Sequence, residues 1–313
     1  MSNIFIQIAS YRDPDLKNTI NDLINNSSNK YELSFGVCDQ NDTDRFLDYS
    51  KFSCGSIKVL QLDYKKSHGA CWARSLTQSL YDNEDFTLQI DSHTRSESDW
   101  DIKLLNLYKN LNNPKAIIST YPSIFIPSQS YEQYNKNIYK CHVYKMENGL
   151  IKTRPVKLNN ESQPVPASAV AAGFIFGPSS IITDVKYDPE FYFSGEEAAL
   201  AIRYFTNGYD LYHPQINLFY HYYTRKEQHK HWTDHKNWSN YSKRASDRLN
   251  CLLGRNQLFD LKEYGLGSAR SFEEWRIYSG IDYKNNKLHQ YLIDDKPAPY
   301  PDTPDLWVNE NNL

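Results

Sequence analysis

Asp91-Ser92-His93 closes a short apolar run, Phe86 to Ile90, and sets a carboxylate and an imidazole two positions apart. Side chains two apart on a strand point to the same side, so the spacing predicts both groups facing one cleft. One oxygen and one nitrogen ligand suit a divalent ion such as Mn2+ or Mg2+. The same spacing also fits a turn aspartate beside a surface histidine. His221 ends a second apolar run and would supply a distant third ligand. Oxygens of a bound diphosphate could fill the remaining positions.

Gly195-Glu196-Glu197 opens a helical pattern through Leu200, Ile202 and Phe205. Free N–H groups and carboxylates at a helix start can hold sugar hydroxyls; acids also favour that end for its dipole alone. Ala171-Ala172-Gly173 has almost no side chain, which permits close approach of a ligand or tight core packing. Arg12 and Arg74 are phosphate candidates or members of surface ion pairs. His229, His231 and His235 are spaced by two and four and match no cysteine-containing zinc motif. Their nearby acids are Glu227 and Asp234, and the stretch reads as a polar loop. No phosphate-binding G-x-x-x-x-G-K-[ST] loop and no G-x-S-x-G elbow occurs, and hydride transfer on a dinucleotide fingerprint is unsupported.

The elements that must position these groups alternate. Ile4 to Ile8, Tyr31 to Cys38, Ile57 to Leu62 and Phe86 to Ile90 read as strands. Helical patterns run through Leu16, Ile20 and Leu23, and through Leu76, Leu80 and Tyr81. This order predicts an α/β chain with a mostly parallel central sheet. Ligands of such sheets gather at the carboxyl ends of the strands. The polar clusters Ser10 to Asp13, Asp39 to Asp42 and Asp91 to Arg95 fall there. Residues 127 to 166 read as a strand pair with a long loop. Residues 241 to 263 read as helical, and the Pro-rich tail after Lys284 as irregular.

Composition narrows the partners. The chain has 313 residues, 40% hydrophobic and 23% charged, which suits a packed core rather than disorder. A net charge of −3 excludes general nucleic-acid binding as its main task. The 25 Tyr suit sugar faces and wet clefts, or reflect a codon bias. Cysteines at 38, 54, 71, 141 and 251 form no CxxC pair and read as reduced thiols. The start MSNIFIQIAS carries neither a secretory signal nor a transmembrane segment, so a cytoplasmic location is expected.

Ile8-Ala9-Ser10-Tyr11-Arg12-Asp13 resembles the opening of glycosyltransferase family sixty. So do Phe35 to Cys38, Gly69 to Arg74, Leu88 to Arg95, Ala172 to Phe174, Gly195 to Glu197 and Tyr264 to Gly267, in order, from residue 4 to about 283. A more distant resemblance is to polypeptide GalNAc transferases. These share the D-S-H triplet, a small-residue Gly-Phe strand, a G-E helix start and a late His followed closely by Arg.

The resemblance implies a GT-A, Rossmann-like fold with a helical C-terminal segment: residues 1–240 catalytic, 241–313 an extension and tail packed on them. It implies a retaining, Mn2+- or Mg2+-dependent transfer of GlcNAc from UDP-GlcNAc to a hydroxyl on protein or glycan. The family includes protist enzymes that modify hydroxyproline of a cytosolic protein. Carried over, Asp91, His93 and His221 hold the metal. Ser10, Arg12, Asp39, Arg74, Asp91, Gly173, Gly195 and Trp232 contact the donor, although Asp39 departs from the family sixty pattern. Glu196, Glu197 and Arg225 are the catalytic candidates; Glu196 or Glu197 orients a sugar hydroxyl or, in a double displacement, acts as nucleophile. UDP-GalNAc or another UDP-sugar serving surface-glycan synthesis is the alternative donor, and an inactive carbohydrate-binding protein the alternative class. Tyr222 to Trp238 has few aliphatic residues and is expected to be a mobile lid that orders on donor binding.

Overall fold

β1 (Asn3–Tyr11) buries Ile4, Ile6 and Ile8 on one face and Phe5 and Gln7 on the other. A strand covered on both faces belongs inside a layered α/β sheet. In the computed structural model, which describes residues 2–159, 161–225, 228–296, 298–301 and 303–312, that is its place. The chain continues through α1 (Leu16–Asn25), β2 (Glu32–Asn41), β3 (Ser56–Asp63), α2 (Ala70–Gln78) and β4 (Phe86–Asp91). The four strands run parallel in the order β4-β1-β2-β3.

The second half adds β5 (Thr94–Ser96), α3 (Trp100–Asn110), β6 (Ala116–Ser119), β7 (Ser123–Ile124) and a hairpin of β8 (Tyr139–Glu147) and β9 (Leu150–Lys157). β10 (Val165–Pro166), β11 (Phe174–Pro178), α4 (Ser180–Asp184), α5 (Glu196–Thr206), β12 (Asp210–His213) and β13 (Phe219–His221) follow. β11 lies antiparallel between β4 and β6, which completes an eight-stranded, mainly parallel sheet of order β10-β12-β6-β11-β4-β1-β2-β3. β5, β13 and β7 form a separate small sheet.

Each face of the large sheet has its own core. Ile4, Ile6, Ile8, Leu88 and Ile90 pack on Leu16, Ile20 and Leu23 of α1 and Trp100 and Leu104 of α3. Phe5, Ile117 and Ile175 belong to the core on the other face, with Leu200 and Ile202 of α5. Full burial of such side chains contributes roughly 1.5–3 kcal/mol each, so the sheet holds a fixed register beneath the site.

The C-terminal region opens with the short α6 (His231–Asp234) and with α7 (Trp238–Leu252), which spans residue 240. The tail is not irregular: after α8 (Phe272–Ser279), β14 (Ile281–Asp282), β15 (Lys287–His289) and β16 (Trp307–Asn309) form a three-stranded sheet, with α9 (Gln290–Ile293) between the last two. Trp275, Ile281, Leu288 and Leu292 enter the same core as Leu200 and Phe205. Proline content hid these short strands. Among the described residues no helix is long and apolar enough to cross a membrane.

Candidate active site

β4 ends at Asp91, and Ser92 and His93 form a bend. The meeting of Asp91 with His93 is therefore made by a bend and not, as expected, by strand alternation. The next residues enter β5, which pairs with β13 in the register Thr94↔His221. The Tyr222 N–H donates to the His93 carbonyl at 3.1 Å. This pairing carries His221 across 130 residues to Asp91, where its Nε2 lies 3.0 Å from Oδ2. His93 Nε2 is 3.9 Å from the same oxygen. Ligand atoms of all three residues lie within 4.8 Å of one another.

His93 is set up as a ligand. Its Nδ1 lies 2.7 Å from Asp13 Oδ2. An ionised carboxylate only accepts, so the ring donates from Nδ1 and keeps a lone pair on Nε2. Among the described residues that buried Nε2 has no hydrogen-bond partner. An orphaned buried acceptor is costly, and a cation would satisfy it. Burial pushes the His93 pKa down, against the opposing pull of Asp13, and favours the neutral ring. Although burial opposes it, hydrogen bonding to His221 and the charge of Arg74 hold Asp91 well below the usual carboxylate range. Gly173 leaves the room: a Cβ there would lie 3.0 Å from Asp91 Oδ2. One carboxylate and two imidazoles fit Mn2+ or a similar ion.

Arg74 braces the cluster. Its Nη2 donates to Asp91 Oδ1 at 2.9 Å and its Nη1 to Glu196 Oε1, which also accepts the Tyr187 hydroxyl. Both guanidinium ends thus pair with protein carboxylates, while the side chain also borders the cavities on either side of Asp91. Glu197 Oε1 accepts the Ala172 N–H at 2.9 Å. Burial pushes its carboxyl up to about 7, with Glu196 adding to the shift and the Ala172 bond opposing it. Gly195 caps α5 at φ 87, where an added Cβ would strike Leu249 at 2.6 Å; its constraint is backbone geometry. A cavity of about 310 Å³ opens here, lined by Asp91, Gly173, Gly195, Glu196, Glu197 and Thr153 among others.

A second cavity, of about 320 Å³, lies against the other side of Asp91. Ala9, Tyr11, Asp13, Gln40 and Ser67 contribute to its wall. Ser10 and Asp39 do not, and parity explains why. Ala9 is opposite Asp91, while Ser10 is opposite Asp39; neighbours along a strand alternate faces. Asp39 instead accepts the Tyr49 hydroxyl at 2.9 Å, and burial pushes its pKa up. Gln40, one residue on, takes the cavity face and bonds the Ser10 carbonyl at 2.9 Å. Arg12 is held by Asp42 at 3.1 Å and Asp234 at 3.0 Å and lies over the Tyr64 ring.

The segment expected to be a mobile lid makes hydrogen bonds beside this cavity. Lys226 and Glu227 lie outside the described residues. Arg225 Nη1 donates to Asp13 Oδ2 at 2.9 Å. Asp234 accepts from the Tyr11 hydroxyl at 2.9 Å and from Arg12. His231 meets Tyr192 and stacks on His235 at 3.9 Å; burial and that second ring push its pKa down to about 4. Trp232, 45% exposed, faces Phe193, 58% exposed, across the rim. Ring stacking and ion pairs supply what aliphatic packing would, and an apolar-periodicity reading sees neither. Asp13, Tyr11, Gln40, Tyr187 and Phe193 were absent from the expected site. Asp13, Tyr11 and Gln40 carried a signal, as parts of the polar clusters after β1 and β2; Tyr187 and Phe193 carried none.

A mixed α/β fold around a large, mainly parallel sheet of this kind is that of the GT-A glycosyltransferases. The crystal structure of GalNAc-T7 with UDP, GalNAc and Mn2+ superposes on it with a TM-score of 0.61 at 14% identity, covering 88% of this chain and 56% of that one. The chain thus spans just over half the length of that relative. S. aureus TarS 1–349 in complex with UDP-GlcNAc gives a TM-score of 0.49 at 12% identity, covering 83% of this chain and 69% of that one. The family model Glycosyltransferase (GlcNAc) matches residues 3–51 and 45–285, and the chain belongs to that family. No curated protein matches the chain in sequence.

Proposed function

We propose that this glycosyltransferase moves GlcNAc from UDP-GlcNAc to a hydroxyl of a protein or glycan, with retention of the α configuration and with Mn2+ or Mg2+ bound by Asp91, His93 and His221. The observation that carries this reading is the buried, unpartnered His93 Nε2 beside Asp91 and His221. The presence of UDP, a sugar and Mn2+ in the GalNAc-T7 structure supports it; that sugar is GalNAc, which keeps UDP-GalNAc as the second donor. The ordered blocks from Ile8 to Gly267 favour family sixty within this class. Residues 1–240 are read as the catalytic unit, 241–313 as an extension packed on it, and the location as cytoplasmic.

A bound divalent ion would supply positive charge against which the UDP diphosphate departs. The chain's own groups do the rest. Arg225 lines the same cavity as Asp91 and His93 and would offer a planar fork for phosphate oxygens. Tyr11, Gln40 and Trp232 bound the nucleotide-side cavity, and Trp232 limits water access. Glu197 and the small Ala172-Gly173 backbone face the sugar-side cavity. Near neutral pH Glu197 is present in both protonation states, so it can accept or donate a hydrogen bond to a sugar hydroxyl. Glu196 fixes Arg74, which fixes Asp91. The acceptor hydroxyl attacks from the face the diphosphate leaves and gives its proton to a departing phosphate oxygen, so no protein nucleophile is needed.

A screen of UDP-sugars for hydrolysis with Mn2+ tests this without an acceptor. UDP-GlcNAc should be cleaved fastest, and a transferred product should show the small anomeric coupling of an α linkage by NMR. A β product would contradict retention; no cleavage of any UDP-sugar would remove the enzymatic reading. Glu196→Gln should separate chemistry from nucleotide binding. Weakening one charged hydrogen bond predicts a turnover loss of roughly 10–100-fold. Calorimetry should find UDP affinity within about 2-fold of wild type, less than the effect of one charged contact. Equal losses in both would place Glu196 on the nucleotide side.

A further inference from the structure

Asp13 is almost fully buried, and one of its oxygens serves several donors. Oδ2 lies 2.7 Å from His93 Nδ1, 2.8 Å from Ser92 Oγ and 2.9 Å from Arg225 Nη1. Oδ1 accepts the Asp15 N–H at 3.0 Å. A carboxylate oxygen offers two lone pairs, so the donors on Oδ2 compete. His93 comes from the bend after β4, and Arg225 from the segment that closes the nucleotide-side cavity. One buried atom joins the two.

We propose that Asp13 is a positioning residue that couples metal affinity at Asp91, His93 and His221 to the placement of Arg225. The inference rests on the metal reading above. Its sign follows from the chemistry. A metal-bound imidazole becomes a better ligand when its other nitrogen donates to a stronger acceptor. Arg225 on Asp13 draws electron density from that acceptor and adds like charge near the metal position. It therefore holds the metal site in a weaker-binding state. A diphosphate offers Arg225 a better anionic partner. Once Arg225 leaves, Asp13 turns wholly to Ser92 and His93, and His93 Nε2 becomes the stronger ligand. Metal and nucleotide then favour each other through this exchange, in addition to any direct contact, and the coupling is reciprocal.

The test is Mn2+ binding to the full chain, read by electron paramagnetic resonance with and without UDP, so turnover is not needed. Asp13→Asn should weaken Mn2+ binding by about 10–100-fold, the usual effect of removing a carboxylate behind a ligand histidine. Arg225→Ala should do the opposite and tighten Mn2+ alone by about 5-fold, while the gain on adding UDP shrinks. In Asp13→Asn/Arg225→Ala the part of the arginine's effect that runs through Asp13 should disappear, leaving only the smaller direct effect of its charge. A purely structural role for Asp13 predicts none of this reversal. Unchanged or weaker Mn2+ binding in Arg225→Ala overturns the proposal. So does wild-type affinity in Asp13→Asn. If Asp13→Asn does not fold, the Arg225→Ala arm decides alone, because Arg225 is partly exposed. Wild-type protein that takes up no Mn2+, with or without UDP, would instead overturn the metal reading itself.

Discussion

Asp91→Asn should lower Mn2+-dependent turnover of the donor by about 10²–10³-fold, the scale of a lost charge-stabilising group in a closed site. Asparagine has nearly the same shape, so packing against Gly173 is kept. What it removes is the charge that His221 and Arg74 both address, at 3.0 and 2.9 Å. His221→Ala should lose activity on the same scale while leaving Arg74 paired. Both variants should melt cooperatively, because neither side chain belongs to the two hydrophobic cores. Excess EDTA should bring wild type to the level of the variants, and Mn2+ should restore wild type alone. Full wild-type activity in EDTA would sink the metal reading, whatever the variants did.

Arg74→Met should be the most destabilising single change at the site. Arg74 has 9% side-chain exposure and sits between Asp91 and Glu196, the latter with 5% exposure. Removing one partner from a buried ion pair leaves the other charge uncompensated and costs about 3–5 kcal/mol. The melting temperature should fall by roughly 5–15 °C in a chain of this size. Methionine fills most of the volume, so a cavity contributes little. The double variant Arg74→Met/Glu196→Gln removes the orphaned charge and should recover a large part of the loss, measured as a double-mutant cycle by thermal or urea unfolding. Additive losses would mean that the guanidinium acts by packing and not by charge. Activity should stay low in both variants, since Asp91 loses its brace either way.

The elements of the first half and the polar clusters at their ends were legible from residue order alone. Apolar runs and helical spacing are local signals, and each depends on residues within a few positions. The metal-ligand candidates were legible for the same reason: Asp91 and His93 are near neighbours, and His221 closes a short apolar strand. Register and long-range pairing were not. Whether Ser10 or Ala9, Asp39 or Gln40, faces the cavity depends on how β1, β2 and β4 align, and a shift of one residue reverses every side chain. His93 meets Asp13 over 80 residues and Arg225 meets Asp13 over 212, distances over which no pattern in the sequence carries information. Glu196 and Arg74 were visible as a charged helix start and a phosphate candidate. Only the tertiary structure, which brings the start of α5 to Arg74 of α2, turned them toward each other, because two buried charges of opposite sign are stable there together and neither is stable alone. Residue types along the chain thus named the chemistry, and the sheet register and burial decided which groups perform it and which hold the others in place.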